Sequence, residues 1–195
     1  EDNPVGSITA LEQDSSNPEI IYAGTDSSGL YYSKDSGETW FSSNNGFPNR
    51  FVQCLLSLPY KNTPLLAGTN GDGVYISYNQ GDSWEKLQHP DNRLLVYSLH
   101  YPKEKNFEET CFLSTENGLF QLNLINQDII PIGKSIYAGI RSALVFQKKI
   151  WIGSYGKGVA SLITLPNAPL PMDPPNLAQT TKTRIMFRWS ETSFS

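Results

Sequence analysis

Cysteine and histidine are nearly missing from this 195-residue chain, which holds two of each. Cys54 and Cys111 cannot make a disulfide framework. Both fall in runs that read as strands, so two buried thiols are expected rather than a bridge. His89 and His100 stand apart, with no partners at metal-ligand spacing, and no Ser-His-Asp or Cys-His arrangement can be built on either. No metal and no cofactor is expected. Charge is sparse too: 17% of residues are Asp, Glu, Lys or Arg, with a formal net charge of −4. The longest basic run is Lys148-Lys149. A nucleic-acid groove needs a basic stripe, because phosphate neutralisation supplies most of the affinity, so nucleic acid is not an expected partner. No apolar stretch reaches the roughly 18 residues of a membrane span, and direct membrane insertion is not expected. The polar opening Glu1-Asp2-Asn3-Pro4 carries no signal peptide and reads as a mature N-terminus or a chosen boundary. No glycine-rich turn leads from a strand into a helix, as a phosphate loop would.

What the chain has instead is turn formers and aromatics: 15 Gly, 13 Pro, 10 Tyr and 9 Phe. That mixture suits short strands joined by tight turns. No apolar i, i+3, i+4, i+7 series survives the Gly and Pro punctuation, which excludes amphipathic helices. The strands belong to a repeat. IIYAGTDSSGLYYSKDSGETW (residues 20–40) aligns with LLAGTNGDGVYISYNQGDSW (residues 65–84), pairing Gly24 with Gly68, Ser33 with Ser77, Asp35 with Asn79, Gly37 with Gly81 and Trp40 with Trp84, each 44 residues apart. CFLSTENGLFQLNL (111–124) and KKIWIGSYGKGVASLIT (148–164) continue it, with Ser114 and Gly153 in the place of Gly24. A period of about 40 to 45 residues is that of a four-stranded propeller blade. The expected fold is therefore all-β: a β-propeller of about four four-stranded blades, at about 5–48, 49–92, 93–137 and 138–165, alone or within a larger ring. Strands are expected at 7–12, 20–25, 30–33 and 39–43 in the first unit, and at 52–58, 65–69 and 74–77 in the second. The fourth unit shows no outermost strand.

SKDSGETW (Ser33 to Trp40) matches the Asp-box, or bacterial neuraminidase repeat, Ser-x-Asp-x-Gly-x-Thr-Trp. SYNQGDSW (Ser77 to Trp84) is a variant in which Asn79 replaces Asp and Ser83 replaces Thr. Residues 7–40 resemble blades of xyloglucan-active endoglucanases, sortilin-type receptors and photosystem II assembly-factor propellers. Residues 148–159 resemble blades of two-component regulator propellers. The resemblance implies that the box sits at the rim, opposite the ligand face. Ser33, Asp35, Gly37, Trp40, Ser77, Asn79, Gly81 and Trp84 are accordingly read as structural: the carboxylate or amide caps turn N–H groups, the glycine takes a positive φ, and the indole packs on neighbouring strands.

The resemblance puts the ligand face at the loops between the second and third strands of each blade and at the blade-to-blade connections. Its candidates are Asp26, Asn70, Asp72, Glu116, Tyr155 and Lys157 from the loops, and Arg50 and Arg93 from the connections. The two arginines occupy equivalent blade positions and suit a carboxylate. Set beside this is the plainer reading that they are solvated surface residues and that the loop glycines serve tight turns. Asn70-Gly71-Asp72-Gly73 lacks the spacing and terminal Glu of a calcium loop. The sialidase pattern of an arginine triad with a tyrosine–glutamate pair cannot be assigned. The paired carboxylates of an endoglucanase cannot be assigned either. No catalytic residue is named.

Residues 166–175 are proline-rich and read as a stiff linker. Residues 176–195 resemble the start of a fibronectin type III or Ig-like domain, or else supply a closing strand through Arg184 to Trp189. The expected function is a non-catalytic binding or scaffold module of a secreted or cell-surface protein, with a glycan or protein ligand. The alternatives are the periplasmic sensor propeller of a two-component-type receptor and a fragment of a polysaccharide-active glycoside hydrolase. A homodimer completing the ring is a further expectation.

Overall fold

The computed structural model describes residues 3–48, 50–59, 64–91, 93–104, 107, 109–132, 139–147 and 149–163. The proline-rich segment and residues 176–195 lie outside them. Among the described residues fifteen strands form four antiparallel sheets, each built from consecutive strands. The first contains β1 (Ile8–Gln13), β2 (Ile21–Thr25), β3 (Leu30–Ser33) and β4 (Phe41–Ser42). The second contains β5 (Val52–Ser57), β6 (Leu65–Thr69), β7 (Val74–Ser77) and β8 (Glu85–Lys86). The third contains β9 (Val96–His100), β10 (Thr110–Thr115), β11 (Gly118–Asn123) and β12 (Ile129–Pro131). The fourth has three strands among the described residues, β13 (Ile140–Phe146), β14 (Lys149–Ser154) and β15 (Gly158–Ile163). The first strand of each sheet packs on the first strand of the next, β1 on β5, β5 on β9 and β9 on β13. This is the radial order of propeller blades.

Burial follows from that order. A sheet held between two others is covered on both faces, so β6 (LLAGT) and β10 (TCFLST) are buried along their whole length. The core comprises three clusters, one at each junction. Ile20, Tyr22, Leu30 and Phe47 meet Val52, Leu55, Tyr75 and Trp84 at the first junction. Leu66, Val74 and Ile76 meet Val96, Leu113 and Leu122 at the second. Phe112 and Leu119 meet Ile140, Ala143, Ile150 and Ile152 at the third.

The repeated glycines are set by close approach. A Cβ on Gly24 would lie 2.5 Å from Cγ1 of Val52, and one on Gly68 would lie 2.8 Å from Cγ1 of Val96 and 2.5 Å from the Cys54 sulfur. The first two junctions are thus closed by a β-branched residue of one inner strand against a bare backbone in the sheet before it. Cys54 and Cys111 are free thiols. Burial pushes the Cys54 thiol up to about 12 and raises that of Cys111 as well, which leaves both unreactive at neutral pH.

The turns from Ser33 to Trp40 and from Ser77 to Trp84 have one construction. The Ser33 hydroxyl accepts from Gly37 N (2.8 Å), and Asp35 Oδ1 accepts from Thr39 N (2.9 Å). In the second turn Ser77 accepts from Gly81 N (2.9 Å), and Asn79 Oδ1 accepts from Ser83 N (2.9 Å). Hydrogen bonds from the Thr39 hydroxyl and amide hold the Asp35 carboxyl down at about 2. Ser36 and Gln80 take positive φ beside Gly37 and Gly81, so each turn contains two such residues. These bonds consume Thr39 and Trp40, and the outer strand starts at Phe41 rather than at residue 39. Ile20 is likewise spent before β2, donating to Asn17 O and accepting from Asp14 N. The two indoles differ: Trp84 is buried, with Nε1 donating to Ser43 Oγ at 3.2 Å across the first junction, whereas Trp40 is half-buried and donates to Gly37 O within its own turn.

Gly24→Ala should destabilise the fold by about 1–3 kcal/mol, the usual cost of overpacking a closed core. The midpoint of urea unfolding measures this. Because the clash is with Val52, the added substitution Val52→Ala should recover part of the loss.

Candidate functional site

One rim of the sheets collects the loops β2–β3 (Asp26 to Gly29), β6–β7 (Asn70 to Gly73), β10–β11 (Glu116, Asn117) and β14–β15 (Tyr155 to Lys157). Backbone bonds tie each to the connection entering a neighbouring inner strand: Gly29 N to Arg50 O (3.0 Å), Gly73 N to Leu94 O (2.8 Å), Glu116 N to Leu95 O (3.3 Å) with Gly139 N to Glu116 O (2.6 Å), and Tyr155 N to Gly139 O (3.0 Å). The expected loop and connection residues therefore share this rim, but most of their side chains are engaged locally. Asp26 Oδ1 accepts from Ser7 N (3.0 Å) and Ser27 Oγ (2.9 Å), which lowers its carboxyl pKa. Asp72 accepts from the Tyr75 hydroxyl (2.6 Å) and pairs with Lys86. Glu116 Oε1 accepts from Leu95 N at 3.4 Å. Arg50 Nη1 reaches Ser28 O at 3.4 Å, and Arg93 is exposed, with its backbone N bonded to Asp91 Oδ1 (3.0 Å). Asn70 and Lys157 are exposed. Arg50 and Arg93 do not meet on one group.

The structure assembles a second set of residues that the sequence reading missed. In every inner strand one residue is left out of the pairing register: Thr9, Gln53, Tyr97 and Arg141. These four bulge positions are each 44 residues apart. A bulge re-aims the side chain it carries, and here the re-aimed groups reach across junctions. The Thr9 hydroxyl donates to Val52 O, beside Gln53. The Arg141 guanidinium lies 3.9 Å from the Tyr97 ring centroid and 5.4 Å from that of Tyr155, which is strongly exposed on the adjoining loop. Two aromatic faces thus flank one cation at the rim. Their signal in the chain is an unbroken 44-residue spacing of inner-strand positions with no shared residue type.

The opposite ends of the inner strands repeat another device. Glu12 Oε1 accepts from Ser57 N (2.8 Å) at the first junction, and His100 Nε2 accepts from Val145 N (3.1 Å) at the third. Glu12 and His100 are two spacings of 44 apart, as are Ser57 and Val145. Burial raises the Glu12 carboxyl pKa and lowers that of His100. Nε2 must be unprotonated to accept. The folded pKa of His100 is depressed, so its contribution to stability is complete above the unfolded value of about 6.5 and is lost as pH falls through the folded value. Thermal melts from pH 7.5 to 5 should show a loss of stability that is absent in His100→Gln. An unchanged pH slope in the variant would remove His100 from this role.

No family model and no curated protein matches the sequence. Solved structures do match. The extracellular domain of a hybrid two-component system from B. thetaiotaomicron is 20% identical with a TM-score of 0.65, covering 93% of this chain and 24% of its own. The GH74 xyloglucanase from Xanthomonas campestris is 14% identical with a TM-score of 0.61, covering 78% of this chain and 27% of its own. The computationally designed Ika4 protein is 11% identical with a TM-score of 0.62, covering 83% of this chain and 94% of its own. The likeness establishes the β-propeller fold. The chain spans about a quarter of the length of the first two. Among the described residues no helix is long and apolar enough to cross a membrane.

Proposed function

We propose that this chain is a non-catalytic binding module of an extracellular or periplasmic protein, with propeller blades of the Asp-box kind, and that it takes a glycan on its looped rim. The observation that carries the reading is the Tyr97–Arg141–Tyr155 arrangement, in which Tyr97 and Arg141 hold the bulge position common to all four inner strands and Tyr155 stands on the adjoining loop. Aromatic faces stack on the apolar faces of sugar rings, and an arginine fork donates to hydroxyls or to a sugar carboxylate. Arg50, Arg93, Asn70, Glu116 and Lys157 would supply the surrounding polar contacts. Asp26 and Asp72 support binding over hydrolysis: hydrogen bonds from Ser7 and Ser27 lower the carboxyl pKa of the first, and the second is tied to Tyr75 and Lys86, so neither is placed as a general acid.

A second reading is a sensor propeller, favoured by the 93% coverage of this chain in the match to the two-component extracellular domain. The two readings share the rim and differ in what the bound ligand triggers.

Affinity electrophoresis against neutral and uronic-acid-containing polysaccharides, xyloglucan among them, tests the proposal when paired with a reducing-end assay. Retardation without new reducing ends is expected, and it should weaken about tenfold or more in Tyr97→Ala and Arg141→Ala, in line with the weight of aromatic and arginine contacts at binding sites. Release of reducing ends would turn the reading to a hydrolase. Retardation by no polysaccharide would remove the glycan.

A further inference from the structure

Among the described residues the four sheets make three junctions of one type and leave two halves of a fourth exposed. Ile8, Val52, Val96 and Ile140 are equivalent, each 44 residues from the next and each paired with the last residue of the second strand or with its counterpart. Val52, Val96 and Ile140 are 0%, 0% and 2% exposed, whereas Ile8 is 48% exposed. The other end shows the complement. Val159 holds the place of Leu30, Val74 and Leu119 in the third strand of its sheet; those are 1%, 1% and 3% exposed and Val159 is 61% exposed. Leu144, Phe146 and Trp151 are exposed with it. Gly153 stands where Gly24 and Gly68 receive Val52 and Val96, yet a Cβ on it would meet only Ser142. Trp40, unlike Trp84, has no preceding sheet to bury it.

The first sheet is therefore a plug without a socket, and the fourth is a socket without a plug. The geometry points to a second copy of this chain as the occupant of both, with Ile8 of each copy seated against Gly153 of the other. A copy fits better than an unrelated partner because one chain carries both halves of the junction. Two chains related by a two-fold axis then close two junctions at once and bury every apolar group named above. The contact is head-to-tail, and such contacts give rings where the rotation closes and open filaments where it does not.

Light scattering after size exclusion on the full chain tests this, using Ile8→Glu and Val159→Glu. Both residues are exposed in the single chain, so neither change disturbs its core, and circular dichroism confirms the fold of each variant. The wild type is expected at twice 21.8 kDa, and each variant at the mass of one chain. Mixing the two variants should restore a dimer, because one sound plug and one sound socket remain between them. A wild-type monomer at the highest soluble concentration would overturn the proposal. So would a ladder of larger masses, which would mean an open filament, or a dimer that persists in both variants.

Discussion

Everything in this fold depends on how closely one inner strand can approach the sheet before it. Val52 over Gly24 and Val96 over Gly68 leave no room for a single added carbon. Once that distance is set, the rest of each junction falls into place. The residues flanking the glycine turn to one face or the other, the second strand becomes buried on both sides, and the loop bonds to the neighbouring connection. The third sheet puts Ser114 in the glycine's place, and its hydroxyl is buried with no hydrogen-bond partner among the described residues. A small residue is what the packing requires there; a hydrogen-bonding role is not.

Polar groups at the junctions follow a similar economy. The inner strands are sheet edges, and an edge offers unpaired N–H groups. Glu12 and His100 each satisfy one such group in the neighbouring inner strand, at positions where Leu56 and Leu144 stand in the alternate sheets. Both side chains are partly desolvated in doing so, and this moves their pKa values in opposite directions: a carboxylate becomes harder to ionise and an imidazole harder to protonate. Two chemically unlike residues thus act as the same acceptor.

The blade repeat was legible because its turns are built from few residue types. Ser33, Asp35 and Gly37 are each fixed by a hydrogen bond or a positive φ, and the second copy of the turn preserves all three roles with Asn in place of Asp. Strand ends were less legible, since nothing in Thr39 or Trp40 says that their bonds go to the turn. The rim residues Tyr97 and Arg141 were missed for a different reason. Thr9, Gln53, Tyr97 and Arg141 share a backbone irregularity and no side-chain chemistry, so only their spacing marks them. That spacing is hidden by the glycines, because Gly68 to Ser114 is 46 residues and Ser114 to Gly153 is 39. The inner strands keep step while the hairpins between them change length.

The constant step of the inner strands also bears on how the chain folds. Each junction joins segments one repeat apart and none needs the two ends of the chain to meet, which bounds the loop-closure entropy of each step. A finished sheet offers its apolar face as a template for the one that follows, so order can spread along the chain one unit at a time, as in other repeat architectures. During synthesis the first sheet can be complete before the second has emerged, and the core grows behind the ribosome instead of waiting for the last residue.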